Sequence, residues 1–279
     1  MDFLTQLVVW LNALANALGG VALAPVAILP GWLSATLVAA VTGVALLAVF
    51  KYTSNQAAIK RVKNEIKANL LALKLFKENA AVVLRAQGAI LLAAMRLFAL
   101  AIVPMLVMVV PVLLILGQLS LWYQARPLAV GEEAVVTLEL AGDGPAVSDV
   151  RLDPDAAIDV TAGPLRMPSE QRVCWRIKAQ APGRQRLVFH AGEQTADKEL
   201  AVGDRLMRVS ALRPGWNCGE ALLHPAEAPF DRSSPIQSIA VDYPQRSSWT
   251  SGADTWVVYW FVVSMISGFA FRGALNVNM

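Results

Sequence analysis

Side chains able to do chemistry are few in this chain of 279 residues, and they are scattered. The two histidines, His190 and His224, have no second histidine, cysteine or paired carboxylates at the spacing a metal needs. No Gly-rich phosphate loop, Gly-x-Ser-x-Gly elbow or zincin helix occurs. The expectation is a protein that is not an enzyme, with no catalytic residues, no metal ligands and no cofactor. Cys174 and Cys218 are the only cysteines. An oxidising compartment permits a disulfide between them, and two free thiols are the alternative. Cys174 sits on the polar side of an alternating strand and Cys218 among loop residues, which tilts the reading towards two free thiols.

The remaining polar chemistry borders apolar stretches. Lys51 and Arg96 stand where charge-free segments begin or end. They read either as interface anchors that snorkel to the headgroups or as the lining of a polar vestibule. Met95, Met105, Met108 and Met265 offer flexible apolar surface near the same segments.

These residues are positioned by elements that require lipid. The chain is 56% apolar and 16% charged, with a mean hydropathy of +0.50, against roughly a quarter charged in soluble proteins. Residues 3–50, 97–124 and 255–271 contain no Asp, Glu, Lys or Arg. A charge at the bilayer centre costs about 2.5–3.5 kcal/mol on insertion scales, so gaps of this length mark membrane spans. Three are expected: 31–50, 97–119 with Pro104 and Pro111 inside, and a short third within 255–272. The third has 16 apolar residues from Trp256 to Phe271, which reach roughly 24 Å. Residues 1–30 read as an interfacial helix over 3–18, with Thr5, Asn12 and Asn16 near one face, followed by a Pro/Gly linker. A further span is the competing reading.

Charge gives the orientation. Residues 51–96 hold nine basic side chains against Glu65 and Glu78, a net of +7, whereas residues 120–254 hold 14 basic and 18 acidic, a net of −4. By the positive-inside rule 51–96 is cytoplasmic, with the tail 273–279 on the same side. The N-terminus and 120–254 then lie outside a plasma (inner) membrane crossed several times. The pI near 9.0 therefore reports topology, and DNA is not an expected partner; membrane lipid is.

Residues 51–96 read as a helical hairpin. Ile59, Val62, Ile66, Leu70, Leu73 and Phe76 form one stripe, which Val83, Ala86, Ile90 and Ala93 cover after a break near Glu78–Ala80. A basic amphipathic pair lying on anionic lipid is the alternative. Lys60, Arg61, Lys63 and Lys67 are its candidate contacts to a ribosome or to lipid. Residues 126–212 carry short alternating runs, AVVTLEL, SDVRL, AIDVTA, QRVCWRIK, RQRLVFH, KELAV and LMRVSAL, punctuated by Gly, Pro, Asp or Asn. They predict an all-β, immunoglobulin-like sandwich outside the membrane. A Pro/Gly/Ser-rich linker with one more strand, IQSIAVDY, leads to the third span.

The order of parts, with the hairpin KYTSNQAAIKRVKNEIKANLLALKLFKEN between spans one and two, resembles the YidC/Oxa insertase superfamily. The resemblance is to its three-span branch in archaea and in the insertase subunit of the ER membrane complex. It covers 31–119 and 256–272. It implies a cytoplasm-facing polar groove through which hydrophobic segments slide, with nascent membrane proteins and the ribosome as partners. The chain departs from the pattern in its β domain, in lacking a mid-span charge and in lacking a long basic tail. Groove polarity would then come from Ser34, Thr36, Thr42, Ser264 and Ser267, with Lys51 and Arg96 at its mouth. The alternative function is a non-catalytic scaffold or complex subunit whose outer β domain binds an envelope protein.

Overall fold

The structure is a computed structural model that describes residues 2–142, 147–153, 157–252 and 255–277. Parts of the expected 120–254 domain (143–146, 154–156, 253–254) and of the tail (278–279) lie outside the described residues. The chain forms two compact units, Met1–Ala35 with Leu113–Trp260, and Thr36–Val112 with Phe261–Met279.

Among the described residues there are six α-helices: α1 Asp2–Leu23, α2 Gly31–Thr53, α3 Gln56–Leu75, α4 Ala80–Tyr123, α5 Cys218–Leu223 and α6 Trp256–Phe271. Three of them, α1, α2 and α4, are long and apolar enough to cross a membrane, and α6 is a shorter apolar helix. The protein is thus a membrane protein. Helix α4 differs from expectation. The hairpin arm and the span after it are one uninterrupted helix of 44 residues, with Pro104 and Pro111 inside it. Within a span a freed carbonyl can be satisfied locally, so these prolines need not end the helix. The hairpin break falls at 76–79, as the sequence suggests. The Asn55 side chain caps α3 by accepting from the Ala58 N–H at 3.0 Å. Ile59 and Val62 of α3 are buried, as are Ala86 and Ala93 of α4, whereas Leu70 and Phe76 at the far end of the stripe stay exposed.

Helix α1 runs five residues past its expected end, through Gly19 and Gly20. Gly19 serves a close approach instead of a stop: a Cβ there would lie 2.9 Å from Gln118 Oε1.

Among the described residues eight strands build two antiparallel sheets: β1 Glu133–Leu140, β2 Val150–Asp153, β3 Ile158–Met167, β4 Arg172–Ala179, β5 Gly183–Ala191, β6 Gln194–Val202, β7 Leu212–Arg213 and β8 Ile236–Val241. The larger sheet has the order β3-β4-β1-β8-β7 and the smaller β2-β5-β6. Period-two alternation decides which side chains go inside. On β4, Val173, Trp175, Ile177 and Ala179 are buried while Arg172 and Arg176 are exposed. Both sheets contribute to one core, with Val136, Leu138 and Ile239 from one and Val150, Phe189 and Leu200 from the other. Each such fully buried aliphatic or Phe side chain contributes about 1.5–3 kcal/mol. The Trp175 and Phe189 rings meet at 5.4 Å between centroids.

One expected strand is largely absent. Of LMRVSAL, only Leu212 joins a sheet. The stretch before it gives its backbone elsewhere: the Val209 N–H donates to Leu121 O of α4 at 2.8 Å, and Ser210 O accepts from Lys198.

Candidate functional site

Helices α2 and α6 meet at a contact made of small residues. Gly43 is buried, and a Cβ placed on it would lie 2.2 Å from Ser264 O and 2.7 Å from Ser264 Cα. No side chain fits there, so glycine permits the two backbones to touch, the usual role of small residues between membrane helices. Ser267 Oγ donates to Ala40 O across the contact at 3.0 Å and also lies 3.0 Å from Ser264 O on its own helix. Ser264 Oγ donates back to Phe261 O. Ser264 and Ser267 therefore sit inside a helix–helix joint, with their hydroxyls satisfied by carbonyls. Thr42 Oγ1 likewise donates to Ala39 O of its own helix. Ser34 is buried, its hydroxyl 2.6 Å from the Tyr123 hydroxyl.

Helix α4 presents the opposite situation. Between Met95 and Val110 its apolar side chains point outward over most of the circumference. Phe98, Val103, Met105 and Leu106 are each more than 60% exposed. On α6, Phe261, Met265, Ile266 and Phe269 are exposed as well. Within this unit, tight pairing at Gly43 coexists with a long apolar helix surface left exposed among the described residues.

The charged candidates sit on the hairpin. Lys60, Arg61 and Lys67 are exposed and Lys63 partly so, on the same helix as the buried Ile59 and Val62. Arg96 is not at a helix end. It lies within α4 and faces Glu65 of α3 at 3.8 Å, both side chains more than half exposed. Such a pair contributes at most about 1 kcal/mol. Lys51 lies over the Tyr52 ring at 5.9 Å.

The β region holds an ionic cluster that the sequence reading missed. Lys198 is fully buried and its Nζ donates to Ser210 O (2.6 Å), Ser210 Oγ (2.9 Å) and Glu227 Oε1. Ser210 Oγ donates to the same carboxylate oxygen, and Glu227 Oε2 accepts from the Glu199 N–H at 3.1 Å. Burial pushes Lys198 below the ordinary lysine value, with Glu227 opposing. Nearby, Arg213 donates to Asp197 Oδ1 at 2.7 Å and stacks on Phe230 at 4.2 Å. The cluster ties the 203–211 and 224–230 segments to β6. Its signal was one of phase: Lys198 shares the inward side of β6 with Ala196, Leu200 and Val202.

His190 also has partners that its sequence neighbourhood does not reveal. Its Nε2 is 2.8 Å from Asp153 Oδ2 on β2, and its Nδ1 is 3.1 Å from Thr195 Oγ1 on β6. The three are exposed or half-exposed cross-strand neighbours. Burial lowers the His224 value, and the Lys198 charge adds to that. Cys174 and Cys218 are not brought together; both thiols are free, and Cys174 Sγ lies 3.5 Å from Thr137 Oγ1. Among the described residues no group of three or more His, Cys, Asp or Glu could hold a metal ion.

Compared with known proteins, the chain finds no counterpart: no family model, no curated protein and no solved structure matches it.

Proposed function

We propose that this chain is a membrane-protein insertase or chaperone of the three-span YidC/Oxa kind, set in the plasma membrane. In this reading α2, α4 and α6 cross the bilayer, and the basic hairpin and C-terminus face the cytoplasm. The two-sheet region outside is an immunoglobulin-like sandwich. The observation that carries the proposal is the uncovered apolar surface of α4 from Met95 to Val110, in the same unit as a closely paired α2 and α6. A guest helix packing there would bury apolar side chains against Met105 and Met265, whose flexible thioethers adapt to varied sequences. Polarity supplied by Ser264 and Ser267 is not part of this reading, because those hydroxyls are engaged in the α2–α6 joint.

The joint favours a second reading. Close small-residue packing is what an anchor needs, and the chain would then be a scaffold whose β domain binds an envelope protein. Photo-cross-linking separates the two. With a photoreactive amino acid at Met105 or Met265, reconstituted vesicles are supplied with a ribosome-bound single-span substrate. The insertase reading expects cross-links to the substrate helix that appear during synthesis and fade on release. It also expects insertion well above that of empty vesicles. Insertion equal to empty vesicles, with no cross-link from either position, would leave the scaffold.

A further inference from the structure

The N-terminal helix α1 is 22 residues long and apolar enough to span a bilayer, yet its polar edge is used by the β-domain unit from the middle of the helix onward. Asn12 Nδ2 donates to Ala221 O at 2.6 Å, and Asn16 Nδ2 to Pro225 O at 2.7 Å. Gln118 Nε2 donates to Asn16 Oδ1 at 2.8 Å, and Gly19 packs beneath the same glutamine. Thr5, two turns before Asn12 on the same edge, is buried too. From Asn12 to the helix end at Leu23 is roughly 16 Å. A helix crossing a 30 Å core could keep only its last turn or two against a domain outside the membrane. A contact at Asn12, three turns before the end of α1, requires a helix that runs alongside that domain.

The opposite edge is a clean apolar stripe. Phe3, Leu7, Trp10, Leu14, Leu18 and Val21, spaced three or four apart, are all exposed, Trp10 by 71%. After Asp2 the helix has no ionisable residue, so nothing on this face is suited to water or to an acidic or basic protein. Trp32 and Trp249 of the same unit are also exposed, and tryptophan concentrates at the headgroup level.

We infer that α1 does not cross the membrane: it lies in the plane of the bilayer surface, its stripe in the lipid boundary and its asparagine edge bolted to the β-domain unit. The ligand of this face is bilayer lipid on the side that holds the β domain. The helix and the domain then form one plate resting on the membrane, and the N-terminus stays on the β-domain side. The inference does not depend on the insertase reading.

Accessibility labelling tests it. In the full-length chain with Cys174 and Cys218 changed to Ser, single variants Asp2→Cys, Gly142→Cys and Glu78→Cys are treated with a membrane-impermeant maleimide in sealed, oriented vesicles. Asp2→Cys is expected to react from the same side as Gly142→Cys and from the side opposite to Glu78→Cys. Reaction from the Glu78→Cys side means that α1 spans, and overturns the proposal. Nitroxides at the exposed positions Leu7→Cys, Leu14→Cys and Val21→Cys, read by oxygen and nickel-chelate relaxation, should report one common shallow depth. A steady gradient of depth along the helix overturns it. So does dipolar broadening that disappears on dilution with unlabelled protein, because a second copy would then occupy the stripe.

Discussion

Lys198 enters the β core because strand alternation places it there, between Ala196 and Leu200 on the inward side of β6. A lone ammonium would be intolerable at that depth. Three acceptors on Ser210 and Glu227 match its three donors, which makes the site complete. The dependence is mutual, since Glu227 is nearly buried and also holds Ser210 and the Glu199 N–H. Lys198→Met should therefore destabilise the β region by about 3–5 kcal/mol by stranding the carboxylate. Lys198→Met/Glu227→Leu should recover much of that loss. The midpoints of tertiary unfolding in mild detergent, at one scan rate, give the comparison. Because burial lowers the folded-state value of Lys198, the native chain releases that proton more readily than the unfolded chain. Wild-type stability should accordingly rise with pH in the alkaline range just below the ordinary lysine value, and Lys198→Met should lack that slope.

Glycine has two different meanings in the helices, and one substitution separates them. At Gly43 an added Cβ would strike the α6 backbone, whereas at Gly88 it would meet nothing within 4 Å. Both changes to alanine gain helix propensity of roughly 0.5–1 kcal/mol. Gly88→Ala should thus be neutral or stabilising, while Gly43→Ala should lose about 1–3 kcal/mol from forced separation of α2 and α6. Thermal midpoints of the two variants in the same detergent should move in opposite directions. The elements themselves were readable to differing degrees. Helix α6 coincides with the charge-free stretch after Thr255, and the runs AVVTLEL, QRVCWRIK and RQRLVFH become β1, β4 and β5 within a residue or two. Charge gaps and alternation are local signals, and they survive folding. The fate of 206–211 and the extension of α1 were not readable. Each depends on a partner distant in sequence: Leu121 for the Val209 N–H, and Gln118 over Gly19. The partners of the Ser264 and Ser267 hydroxyls were not readable for the same reason, since they lie at a joint closed by Gly43, more than 200 residues away.

Across the whole chain, charge is divided more sharply than its net of +3 suggests, with the basic excess confined to residues 51–96. Long hydrocarbon stretches on both sides of this segment leave it few neutralising partners. Glu65 is engaged with Arg96, and Lys60, Lys63 and Lys67 flank the buried Ile59 and Val62 on α3, Lys60 and Lys67 exposed and Lys63 partly so. Their spacing of three and four places them on one broad face, able to meet several phosphates at once. An RNA surface would release about 0.7–0.9 counterions per phosphate neutralised, which makes such binding steeply salt-dependent. If the hairpin receives ribosomes, as the insertase reading requires, co-sedimentation of the reconstituted protein with ribosomes should fall sharply as salt is raised. Lys60→Glu/Lys63→Glu/Lys67→Glu should abolish it, with membrane insertion of the protein itself unchanged. Lipid contact alone predicts a different pattern: the triple variant would lose affinity for anionic vesicles while wild-type protein in neutral lipid would never sediment with ribosomes. That second pattern would remove the ribosome from the mechanism and shift the weight toward the scaffold reading.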